Sequence, residues 1–142
     1  MVNVNPDKFV RLAVFNATNN LVVNTKTIKT FDSRVTGNAN LNEYILLTAQ
    51  TKEVDKSTKC EYSWETSLLI EIYTRTTSAG NSGSRVLLND IEQAVMTLLT
   101  PKITVTGFIN VTQNITYENQ LETVTDTENI FRSFLRLNIN LK

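Results

Sequence analysis

The stretch "CEYSWETSLLIEIYTR", residues 60–75, sets Glu61, Glu65 and Glu71 along one alternating run, and glutamates at recurring intervals raise the prospect of acid–base chemistry. At about 3.4 Å per residue in an extended chain, Glu61 and Glu65 lie roughly 13 Å apart and Glu65 and Glu71 roughly 20 Å. Two carboxylates that protonate a leaving group and activate a nucleophile stand about 5–9.5 Å apart. A single strand therefore supplies no such pair, and a partner from another element, Glu43 or Glu118, has to complete it. The other routes to catalysis are narrow. The chain has no histidine and one cysteine, Cys60. Histidine and cysteine zinc sites, Ser-His-Asp and Cys-His nucleophiles and histidine bases are thereby excluded. Cys60 has no internal disulfide partner and no imidazole to activate it, and it reads as a small apolar filler at a strand start. "SAGNSGS" (residues 78–84) places two glycines ahead of a helix but lacks the lysine of a phosphate-binding loop.

Three readings of different kinds remain. The first is a small histidine-free enzyme using carboxylates or a Mg²⁺ held by Glu and Asp. The second is a ligand- or host-binding module with an aromatic pocket around Trp64 and Tyr73. The third is a surface made for protein neighbours. The alternation places Tyr62, Trp64, Thr66, Leu68, Ile70 and Ile72 on one face of the strand, and Glu61, Glu65, Leu69, Glu71, Tyr73 and Arg75 on the other. Trp64 on the apolar face reads as a core aromatic. The polar face reads as solvated surface or as the rim and anchors of a contact between copies, where Tyr and Arg are enriched.

These residues need a scaffold, and length and composition bound it. A chain of 142 residues fits a single domain, 1–142, that buries a core without disulfides. Fourteen basic and fourteen acidic residues cancel, so no global field draws the molecule to a phosphate backbone or an anionic membrane. No leader pattern opens the sequence and no apolar run approaches the 18 or so residues of a membrane span, so folding in a cytoplasm without membrane contact is expected.

Asn5-Pro6-Asp7 starts a helix over about residues 6–18, with Asn as cap and Pro at the first helical position. A short strand follows over 27–35, then "EYILLTAQT" (43–51) as a strand bounded by the turn-rich "TGNANLN" and the charged loop "KEVDKSTK". The long strand 61–75 leads through the connector 76–84 to a helix capped by Ser84, whose Leu87, Leu88, Ile91, Val95, Leu98 and Leu99 recur at helical spacing up to Pro101. "KITVTGFINVTQNITYENQ" alternates on both sides of Gly107, where a bulge or turn interrupts it. A polar turn, "TVTDTEN", precedes a last strand with Phe131, Leu135, Leu137, Ile139 and Leu141 on one face and Arg132, Phe134 and Arg136 on the other. The expected fold is α+β, an antiparallel-rich sheet of about five strands with two helices packed on it, in the order α-β-β-β-α-β-β.

That order of elements, with "NEYILLTAQT", the Trp-bearing "YSWETSLLIEIYTR", the Gly/Ser gap, "SRVLLNDIEQAVMTLL" and the closing "FRSFLRLNINL", resembles the tail-terminator or tail-completion proteins of tailed bacteriophages. The resemblance spans nearly the whole chain and carries no catalytic or metal signature. It implies a structural virion protein, not an enzyme and without a cofactor. It further implies assembly in the host cytoplasm into a ring, commonly a hexamer, that caps the tail tube on the side facing the head and leaves a lumen for DNA. Related ring subunits form the necks of short-tailed phages, where the ring is a dodecamer. The implied partners are further copies of the chain, the tail tube and head-completion or connector proteins, with DNA only as cargo. On this reading Glu61, Glu65, Glu71, Tyr73, Arg75, Thr76, Asn81, Arg132 and Arg136 are the candidate subunit or neighbour contacts. The strand 27–35 or the C-terminal strand offers an edge for sheet pairing between neighbours.

Overall fold

The computed structural model describes residues 4–34, 42–55, 63–76, 83–125 and 127–142. Helix α1 (Asp7–Thr18) begins where expected, although the cap position is Pro6 and not Asn5. Asn5 still caps through its side chain, its Oδ1 accepting the Asp7 N–H at 3.0 Å. Asn20, at φ 60°, turns the chain out of the helix into β1 (Leu21–Val23). Asn24 and Thr25 both have positive φ, 49° and 68°, the backbone that a two-residue hairpin turn requires, and β2 (Lys26–Asp32) returns antiparallel to β1.

The chain continues through β3 (Glu43–Asp55), β4 (Ser63–Thr76), α2 (Gly83–Leu99), β5 (Asn110–Val124) and β6 (Asn129–Leu141). The strands form one six-stranded sheet in the order β1-β2-β3-β4-β6-β5. β2 and β3 run parallel; every other neighbouring pair is antiparallel.

One face of the sheet carries both helices. α1 lies over β2 and β3, and α2 over β4 and β6. Val10 and Val14 of α1 and Leu88, Ile91, Val95 and Leu99 of α2 meet Ile45, Leu47, Leu68, Ile70, Ile72, Leu135, Leu137 and Ile139 in the core. Each large aliphatic side chain buried there contributes about 1.5–3 kcal/mol relative to an exposed one. Trp64 belongs to this cluster, on the helix-covered face as expected.

Several expectations are corrected. The sheet has six strands, not five, and is mixed; the observed order is α-β-β-β-β-α-β-β. The additional strand, β1, is only three residues long and too short to show a period. β3 extends to Asp55, into the expected charged loop, because β4 pairs with it as far as Asp55↔Ser63. β5 begins at Asn110, after a turn in which Phe108 N–H bonds the Val105 carbonyl and Gly107 adopts φ +82°, so Ile103 and Val105 precede the strand. α2 starts at Gly83, so Ser84 lies inside the helix. The C-terminal strand is no edge: β6 sits between β4 and β5. Among the described residues no helix is long and apolar enough to cross a membrane.

Candidate functional site: the sheet face away from the helices

Because side chains alternate along a strand, the register fixes which residues share the second face. Across it, Tyr44, Tyr73, Arg132 and Leu121 stand in one row, and Leu46, Glu71, Phe134 and Asn119 in the next, beside Phe31. The first row is joined by ring contacts. Phe31 meets Tyr44 edge to face at 6.0 Å, Tyr44 stacks on Tyr73 at 4.5 Å and 19°, and the Arg132 guanidinium lies 5.9 Å from the Tyr73 ring centroid. The Arg132 side chain is 47% exposed and its Nε lies 3.6 Å from Glu71.

A second arginine binds the neighbouring rows. Arg136 Nε donates to Glu118 at 2.5 Å, and another of its N–H groups donates to Ser67 Oγ at 3.2 Å. At one end of the face Arg75 lies 3.6 Å from Glu128, and its backbone N–H donates to the Asn42 carbonyl at 2.7 Å. Burial raises the Tyr44 phenol above its ordinary range; the nearby Tyr73 and Glu71 add to this, and Arg132 and Arg75 oppose it. Tyr44 is therefore neutral at physiological pH.

The expected solvated face is thus partly covered, and Tyr73 is only 9% exposed. The cover comes from the sheet itself: β4 is flanked by long strands on both sides, and the side chains of Tyr44 and Arg132 lie across it. Of the proposed contact residues, the fold brings Glu71, Tyr73, Arg132 and Arg136 together in the middle of the face. Arg75 closes one end of the face; Thr76, the next residue, points to the helix-covered side, and its Oγ1 is buried without a hydrogen-bond partner among the described residues. Glu65 stands towards the opposite end, exposed. Glu61, Asn81 and Cys60 lie outside the described residues.

The carboxylates do not converge as the enzyme reading requires. Glu43 lies 3.8 Å from Lys26, Glu71 faces Arg132 and Glu118 faces Arg136. Glu65 meets a different acid, Glu53, directly opposite on β3. Opposed side chains have Cβ atoms about 4.5–5.5 Å apart, close enough for mutual repulsion. Both are exposed and border a shallow depression of about 240 Å³ with Thr51, Ser67 and Asn138. Among the described residues no group of three or more acidic or thiol side chains is placed to hold a metal ion. Trp64 and Tyr73 lie on opposite faces of β4 and share no pocket. A larger concavity, about 410 Å³, lies on the helix side between α1 and the sheet, lined by Lys8, Leu12, Phe15 and Leu47.

Sequence reasoning missed three residues. Tyr44 and Glu53 acquire their roles from the β3–β4 register, which alternation alone does not provide. Arg11 sits among apolar residues of α1 and clamps the helix to the sheet. Its guanidinium donates to the Leu47 carbonyl at 2.7 Å, the Thr48 carbonyl at 2.9 Å and Asp32 at 2.5 Å. The two carbonyls belong to the irregular step of β3 between Leu47 and Gln50, where the ladder to β4 shifts register.

No family model matches the chain, and no curated protein matches it. Among solved structures, it is similar to a chain of the virion of a native gene transfer agent particle, with a TM-score of 0.65 at 10% sequence identity. The alignment covers 97% of this chain and 99% of the other. At that identity the likeness establishes a common fold over nearly the full length of both chains.

Proposed function

We propose that this chain is a structural subunit of a virion, which assembles as a ring at the head–tail junction, ends the tail tube and leaves a lumen for DNA. The observation that carries the reading is the end-to-end likeness in fold to a chain of a gene transfer agent virion. The alignment runs over nearly the full length of both chains, not over a shared motif. A net charge of zero is compatible with DNA passing through a lumen without being held electrostatically.

A ring joins two different patches of each subunit, and the angle between them sets the number of copies, hexameric or dodecameric here. The sheet face away from the helices provides one such patch. Its central charges are already paired within the chain and its aromatics are already ordered, so little side-chain entropy is lost when a neighbour covers it. Glu65, Glu71, Arg75, Arg132 and Arg136 are the contact residues on this face, with Tyr73 as the buried support under Arg132; Thr76 adds to the contact from the end of β4. Glu61 and Asn81 extend the patch in sequence. The partners are further copies of the chain, the tail tube and a head-completion or connector protein.

Purified chain added to isolated tail tubes and imaged with a label on the chain tests the reading. Label confined to one end of each tube is the expected result. Label along the tube walls, or no binding at all, contradicts it.

A further inference from the structure

An open sheet has two edges, and exposed edges are usually blunted by lysine, proline, bulges or extreme shortness. β5 is an edge of 15 residues, "NVTQNITYENQLETV", with no lysine, arginine or proline. Its N-terminal half is shielded. Lys102 Nζ bonds the Val111 carbonyl at 2.5 Å, and the Gln113 amide reaches the Leu99 and Pro101 carbonyls. Beyond the irregular step between Tyr117 and Asn119, the run Asn119–Val124 pairs regularly with β6 and exposes Leu121 and Val124, 46% and 65%. Alternate residues of such a run turn N–H and C=O groups outward with no strand to receive them.

At the other edge is β1, Leu21–Val23, which carries no charged residue, with Val22 64% exposed. The surroundings of the two edges differ in sign. Lys26, opposite Val23 and 3.8 Å from Glu43, and Lys29 lie exposed on β2, whereas β5 carries Glu118 and Glu122, which face Arg136 and Arg85 of the same chain. The sheet has one parallel and four antiparallel neighbour pairs, so β1 and β5 run in the same direction. A copy rotated about an axis along the strands therefore presents β1 parallel to β5.

We propose that Asn119–Val124 of one copy pairs in parallel with Leu21–Val23 of the next, so that the sheet continues from subunit to subunit around the ring. The proposal rests on the ring reading and assigns its second patch. Pairing of β5 with a second β5 across a two-fold axis is antiparallel and draws the glutamates of both copies into one seam, which like-charge repulsion opposes.

Cysteine cross-linking tests it, because a disulfide requires Cα atoms about 4.4–6.8 Å apart. In a Cys60→Ser background, Val22→Cys is combined in turn with Asn119→Cys, Leu121→Cys or Thr123→Cys, all on the sheet face away from the helices. Under mild oxidation one of the three combinations gives a ladder of covalent multimers, and no single-cysteine chain gives any. Leu121→Lys raises the concentration for half-assembly at least tenfold, and Val22→Glu in the same chain restores assembly. A ring that forms while no combination cross-links, or Leu121→Cys alone coupling into dimers, overturns the pairing and leaves the ring standing. A wild-type chain that stays monomeric at high concentration removes both. Assembly of Leu121→Lys at wild-type concentration also overturns the pairing.

Discussion

Replacing Arg11 by alanine tests the attachment of α1 to the sheet. The guanidinium donates to two main-chain carbonyls, Leu47 and Thr48, at 2.7 and 2.9 Å, and its side chain is 19% exposed. Hydrogen bonds from a charged donor are worth about 1.5–3 kcal/mol each, so the pair gives roughly 3–6 kcal/mol before water is considered. The adjoining concavity admits water to the freed carbonyls once the side chain is gone, which lowers the expected loss to about 2–4 kcal/mol. The contact with Asp32, whose side chain is 63% exposed, adds at most about 1 kcal/mol. For a chain of this length the loss lowers the melting temperature by about 6–16 °C. Arg11→Lys recovers less than half of it, because an ammonium cannot reach both carbonyls and Asp32 in the fork that a guanidinium provides. Urea unfolding followed by circular dichroism measures all three chains, with Asp32→Asn as the control costing under about 1 kcal/mol. A wild-type midpoint for Arg11→Lys, or a cost below about 1 kcal/mol for Arg11→Ala, refutes the clamp.

Three further outcomes are expected. Glu65→Thr removes the repulsion across β3 and β4 from Glu53 and stabilises the monomer by about 0.2–1 kcal/mol in urea unfolding; a destabilised monomer contradicts the opposed-acid reading. The Tyr44 phenol keeps its proton in the folded chain above the pH at which the unfolded chain, with its ordinary value of 10.0, loses it. The unfolded state then binds fewer protons, so this contribution is complete below pH 10.0 and is lost as the pH rises from there through the folded-state value. Tyr44→Phe flattens that alkaline decline, and an identical pH profile contradicts it. Gly107→Ala costs about 1–2 kcal/mol by calorimetry from its positive φ alone, since nothing lies within 4 Å of the added methyl; a neutral substitution means that the turn relaxes.

What the sequence made legible depended on range. The spacing of Leu88, Ile91, Val95 and Leu99 defined α2 and its buried side, and the alternation through Trp64, Leu68, Ile70 and Ile72 defined the core face of β4. Both are local patterns imposed by 3.6- and 2-residue periods. β1 escaped because three residues contain no period, and the parallel pairing of β2 with β3 because nothing within either strand encodes its neighbour. The same limit hid the candidate site. Alternation placed Glu71, Tyr73 and Arg75 on one face, but the cover from Tyr44 and Arg132 follows only from the order β3-β4-β6. It also made the C-terminal strand look like an edge, when β5 turns β6 into an interior strand.

The central claim is that copies of this chain close into a ring, and native mass spectrometry of the wild-type protein across a concentration series tests it most directly. The account predicts a single closed species, hexameric or dodecameric, that rises with concentration at the expense of monomer. A monomer at every concentration, or a dimer that grows no further, contradicts it.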